Sequence, residues 1–291
     1  MKLISFDRDA TPHIGVVRED GAVVDMAADP ALPSTMVEFV ALGDEGLARA
    51  AALVGTAEGV PLDAVRLTAP IRPRNNVMAI GKNYLSHVSE FSDSGFDASE
   101  RTPVPQHPIV FTKARSSIVG PDDAIDVSSD PTGTSDYEGE LAVVIGPGGI
   151  RIPAPDAWQH VYGYTIVNDV TVRALQRQHV QFFIGKSAAT YCPIGPWIVT
   201  RDEIDDIGAA WLRTRVNGEE RQAAPIADLI FDIPTLIAAI SAAVRLEAGD
   251  VIATGTPSGV GIGRTPPTFL APGDLVEVSI DGIGTLRNPV V

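Results

Sequence analysis

Glycine and proline set the first limit on what this chain can become. The 291 residues include 27 glycines and 23 prolines, about one residue in six, spread along the whole length. Proline removes a backbone donor and glycine weakens a helix interior, so long helices cannot organise the fold. Between these breaks lie short apolar, β-branched runs that read as strands over residues 2–6, 13–17, 22–26, 76–80, 109–112, 140–145, 162–168, 197–199, 213–216, 251–253, 275–280 and 284–287. Helical spacing occurs over 35–54, 84–91 and 233–246. Strands outnumber helices and do not alternate with them, which predicts an α+β fold with a strand-rich core, not a doubly wound sheet. Pro61, Pro70 and Pro73 punctuate a link, dividing a small N-terminal α+β domain (1–72) from a larger domain (73–291).

The chain is 45% hydrophobic with a mean hydropathy of +0.13, enough for a globular core. Its formal net charge of −15 repels phosphate backbones and anionic bilayers. Nucleic-acid and membrane partners are therefore not expected. A small anionic substrate needs a local cluster of cations or a metal ion. One cysteine, Cys192, permits no internal disulfide. The first residues have no apolar signal core, and no run of 18 apolar residues exists. A cytoplasmic location is the expectation.

Five stretches could carry chemistry. Asp136, Glu138 and Glu140 alternate into a strand, and period two puts them on one face. Three like charges there suit a hard divalent cation, or an exposed acidic face. Asn168-Asp169 ends another strand, where Asp169 is either a helix N-cap or a further metal ligand. Arg173 and Gln176 follow at helical spacing, and Arg173 could instead pair with Asp169. Only four lysines occur (Lys2, Lys82, Lys113 and Lys186), and Lys186, directly after a glycine, is either an anion or enolate stabiliser or an ordinary surface lysine. The Gly/Thr loop 249–261, containing Gly255 and Thr256, offers backbone N–H groups to a carboxylate, or is a plain turn. His87 and Glu90 are neighbours at i, i+3, as a general base and its orienting carboxylate would be, or as a surface pair. Residues 92–108, rich in Ser, Asp, Gly and Pro, read as a mobile lid.

Together, 81–90, 136–146, 164–176, 185–200, 216–222 and 249–261 resemble the fumarylacetoacetate hydrolase family, in the family's order and over roughly 75–291. The resemblance implies a strand-rich mixed β-sandwich roll, a homodimer, and one Mg²⁺ or Mn²⁺ per site. It also implies Glu138, Glu140 and Asp169 as metal ligands and His87 with Glu90 as a water-activating dyad. Arg173, Gln176, Lys186 and Thr256 match positions that hold the substrate's keto-acid end. The founding enzyme has a further carboxylate near Asn83, which this chain lacks, so it is similar to the smaller acylpyruvase-like branch. The function so implied is hydrolysis of a carbon–carbon bond in a 2,4-diketo acid through a pyruvate enolate. Oxaloacetate decarboxylation, or a related isomerisation or hydration of 2-keto acids, is the alternative.

Overall fold

Residues 1–95 and 104–291 are described by the structure, a computed structural model. The main sheet runs, from one edge, Val60–Pro61, Ala22–Asp25, Thr11–Val17, Lys2–Arg8, Cys192–Thr200, Val161–Asn168, Gly139–Ile145, Val251–Ala253, Val77–Gly81, Ile109–Lys113. Pairing is antiparallel along this path except for Val251–Ala253, which runs parallel to Val77–Gly81. The N-terminal strands join through Lys2↔Val199 and Leu3↔Ile198. They extend the sheet and do not stand apart from it.

The central strands are covered on both faces. Every residue of Gly139–Ile145 and of Val161–Asn168 is buried, which is why both read as continuous apolar runs without alternation. One face is covered by a second, four-stranded antiparallel sheet: Glu219–Pro225, Trp211–Val216, Leu275–Ile280, Gly284–Pro289. There every second residue turns inward. Leu212, Val276, Val278 and Ile280 meet Leu141, Val143 and Ile166 in one apolar core. The other face is covered by Phe39, Val40 and Ala50 of the N-terminal helices, packed on Ala142, Val144 and Ile194. The result is the strand-rich α+β sandwich that the resemblance implies.

Several boundaries differ from expectation for local reasons. The helix expected over 35–54 is two, Met36–Ala41 and Asp44–Val54, split at Gly43 with φ 55°. The helix expected to reach 246 stops at Ser241. The strand expected at 197–199 is longer, Cys192–Thr200. Glu219–Pro225 was not expected as a strand, because its sequence is polar and only Gln222 and Ala224 are buried. Its turn was legible: Asn217-Gly218, both at positive φ, is the tight-hairpin pair. Of the lid expected over 92–108, residues 96–103 lie outside the described residues, and its first two residues close the helix Leu85–Asp93. Among the described residues no helix is long and apolar enough to cross a membrane.

Candidate active site

Strand register assembles the acidic centre. Gly139 pairs with Asn168, and Asp169 N donates to Glu138 O at 2.8 Å. This brings Glu138, Glu140 and Asp169 together, all buried, with ligand oxygens within 4.8 Å of one another. Gly139 between the glutamates is required by packing: a Cβ there would lie 2.3 Å from Thr214 Oγ1 of the second sheet. Asp136 does not share their face. The strand breaks after it, and Ser135–Asp136 pairs instead with Thr171–Val172. Its carboxylate accepts from Gly261 N (2.7 Å), Ile262 N (3.1 Å) and Arg173 Nε (2.9 Å).

Three buried cations surround these acids. Arg173 Nη1 lies 2.5 Å from Glu138 Oε1 and donates to Gln176 Oε1 at 3.3 Å. Lys186 Nζ donates to Glu138 Oε2 (2.6 Å) and Asp169 Oδ2 (2.7 Å). The third, Lys113, had no role assigned from sequence. Its Nζ lies 2.5 Å from Asp169 Oδ1 and donates to the carbonyls of Val170 (3.1 Å) and Lys186. Asp169 is therefore no N-cap. The helix Arg173–His179 starts after Val172 with no side-chain cap, and Arg173 pairs with Asp136 and Glu138 rather than with Asp169.

The electrostatics separate the glutamates. Burial pushes Glu138 up, but Arg173 and Lys186 overcome it and hold its carboxyl at about 2. Glu140 is pushed well above the usual carboxylate range by burial and by the charges of Asp169 and Glu138. Three buried, converging carboxylates, one of them carrying too little positive charge around it, are the hard-oxygen donor set that Mg²⁺ or Mn²⁺ takes.

The remaining predicted residues line the same cleft or brace it. A small cleft is bounded by Lys82, His87, Phe91, Phe111, Glu138, Arg173, Gln176, Phe182, Lys186 and Thr256. His87 is buried, its Nδ1 3.2 Å from Glu90 Oε2. An ionised carboxylate only accepts, so Nδ1 carries the proton and Nε2 is the basic nitrogen. Glu90 Oε1 accepts from Gly259 N at 2.9 Å. The N–H groups of the 249–261 loop do hold carboxylates, but the protein's own: Gly255 N donates to Glu140 Oε2 at 2.8 Å, and Gly261 N serves Asp136. Thr256 and Gln222 are hydrogen-bonded to each other and to Gly139. Where an extra acid stands in the founding enzyme, Asn83 is a latch. Its Nδ2 donates to Thr254 O (2.7 Å) and Phe231 O (3.0 Å), and its Oδ1 accepts from Phe231 N (2.8 Å).

Residues 76–291 match the family described as fumarylacetoacetate (FAA) hydrolase C-terminal. The chain belongs to this family of enzymes. It is 44% identical over 294 residues, 95% of each chain, to an oxaloacetate tautomerase of Bacillus subtilis. It is 39% identical to a mitochondrial oxaloacetate tautomerase of Homo sapiens, over all of this chain and 92% of that one. Among solved structures, a fumarylacetoacetate hydrolase from Exiguobacterium antarcticum superposes with a TM-score of 0.85 at 43% identity, covering 100% and 99% of the two chains. Maleylpyruvate hydrolase from Sphingobium sp. SYK-6, in complex with manganese(II) and pyruvate, superposes at 0.81 with 29% identity over 100% and 99%.

Proposed function

We propose that the chain interconverts the keto and enol forms of a small 2-keto dicarboxylate of the oxaloacetate kind. The observation that carries this is a basic nitrogen, His87 Nε2, bordering the same small cleft as the Lys186 ammonium and the Arg173 guanidinium. Full-length relatives named oxaloacetate tautomerases support it. Glu138, Glu140 and Asp169 would hold a divalent cation, Mg²⁺ or Mn²⁺, which when bound supplies Lewis-acid stabilisation of negative charge on the substrate. Arg173 and Gln176 orient the keto-acid end. His87 takes a proton from C3 of the keto form, held in the right tautomer by Glu90. The C–H electron pair becomes the C2–C3 double bond and the charge moves to the C2 oxygen, beside Lys186. His87, now protonated, returns its proton to that oxygen to give the enol and the neutral imidazole, and the reverse sequence regenerates the ketone.

Hydrolysis of a C–C bond in a 2,4-diketo acid is the second reading. It uses the same enolate as leaving group, with His87 activating water, and the maleylpyruvate hydrolase neighbour favours it.

The test follows the ultraviolet absorbance of the enol and the release of pyruvate together, with Mg²⁺, on oxaloacetate and on an acylpyruvate. Accelerated decay of oxaloacetate enol without matching pyruvate supports the proposal. Pyruvate release that keeps pace with the decay, or decay no faster than in buffer, overturns it.

A further inference from the structure

Gln222 lies outside the cleft, yet it decides what Thr256 can recognise there. It comes from the outer strand Glu219–Pro225 and is buried. Main-chain groups fix both ends of its amide: Oε1 accepts from Gly139 N at 3.0 Å, and Nε2 donates to Pro257 O at 2.8 Å. A flipped amide would set nitrogen against an N–H and oxygen against a carbonyl. The nitrogen therefore also faces Thr256 Oγ1, at 2.8 Å, and the hydroxyl accepts. The Thr256 proton goes the other way, to Gly139 O at 3.0 Å. A hydroxyl has one proton and two lone pairs. With the proton and one pair committed, Thr256 offers the cleft a lone pair.

Among the described residues, the other cleft side chains that can hold a substrate oxygen are donors. Lys82 and Lys186 are ammonium groups, and Arg173 Nη2 finds no partner among the described residues. Gln176 gives its Oε1 to Arg173 and keeps Nε2 for the cleft. Glu138 has both oxygens engaged by Arg173 and Lys186, and His87 Nε2 serves the proton being moved. The keto form of a 2-keto dicarboxylate carries acceptors only, whereas its enol carries one O–H. We propose that Thr256, polarised by Gln222 as a positioning residue, accepts the enol hydroxyl, so that the site binds enol-form dicarboxylates in preference to keto-form ones. This rests on the 2-keto dicarboxylate reading above.

Two probes separate the forms. Dihydroxyfumarate is an enediol with fixed O–H donors, and 3,3-dimethyloxaloacetate has no C3 hydrogen and cannot enolise. Binding of each to the Mg²⁺-loaded protein is measured by calorimetry. Wild type should bind dihydroxyfumarate at least about tenfold tighter than the locked ketone, and Thr256→Val should erase most of that ratio through the enediol alone. Gln222→Met, which frees the hydroxyl to turn, should shrink the ratio in the same direction. A purely structural role for Gln222 would weaken both probes together. Equal weakening of both probes by Thr256→Val, or no preference in wild type, overturns the inference, and Thr256→Val decides alone if Gln222→Met does not fold. Failure to turn over oxaloacetate while the preference persists removes the proposed reaction and leaves the enol preference standing.

Discussion

Replacing Lys113 by methionine removes a charge that no surface substitution could imitate. The side chain is wholly buried, and its ammonium serves Asp169 Oδ1 and the carbonyls of Val170 and Lys186. Breaking one side of a buried ion pair costs about 3–5 kcal/mol, because the other charge stays buried. Two carbonyls that lose a donor add about 1 kcal/mol each. Lys186 still holds the other oxygen of Asp169, and methionine keeps much of the methylene packing, so the terms overlap. We expect a net loss of about 4 kcal/mol, a large part of a stability of about 5–15 kcal/mol. Equilibrium urea unfolding in chelator-treated buffer, followed by tryptophan fluorescence, measures it. The variant also leaves the acidic centre with one more uncompensated negative charge. Mg²⁺ should therefore raise its unfolding midpoint by more than it raises that of wild type. A loss under about 1 kcal/mol at unchanged m, or a Mg²⁺ response no larger than wild type, would refute the reasoning.

Other outcomes follow from the same geometry. His87→Ala should slow turnover by roughly 10²–10⁴-fold while Mg²⁺ affinity, read by calorimetry, hardly moves; a bystander His–Glu pair would leave the rate intact. Gly263→Ala places a Cβ 1.9 Å from Glu90 Oε1, so it should displace Glu90 from His87 and slow turnover by about tenfold or more without touching the cleft. Asn83→Asp should lower stability by about 2–4 kcal/mol in urea melts and create no additional metal ligand, since two carbonyls would then face a carboxylate. Glu138 is depressed to about 2 from an ordinary 4.5, so its stabilising share is complete above pH 4.5 and is lost as pH falls toward 2. Glu138→Gln should flatten the melting temperature against pH across that window.

Much of the centre was legible because its signals are local. Two glutamates two apart at the start of an apolar strand, and an aspartate at the end of another, meet once Gly139 pairs with Asn168. His87 and Glu90 lie on one helix, so spacing alone relates them. Asp136 was misplaced because period two was carried across a strand break at Tyr137 that the residues do not announce. Lys113 was passed over because it ends an ordinary strand, and its partners are 56 to 73 positions away. Gln222 sits in a polar hairpin, and nothing local marks it as buried or points to Thr256. What sequence conceals here is the second ring of contacts, made between elements that only the complete sheets bring together.

The placement of Val251–Ala253 also bears on how the chain is made. This strand arrives in the last fifth of the sequence, yet it joins Gly139–Ile145 to Val77–Gly81 in the middle of the sheet. A ribosome delivers the neighbours first. Until residue 253 emerges, two partial sheets wait with facing edges of unpaired N–H and C=O groups, the kind of surface that pairs with whatever strand comes near. The same strand runs into Gly255, whose N–H holds Glu140. Closure of the scaffold and completion of the acidic centre thus wait on the same late segment of the chain.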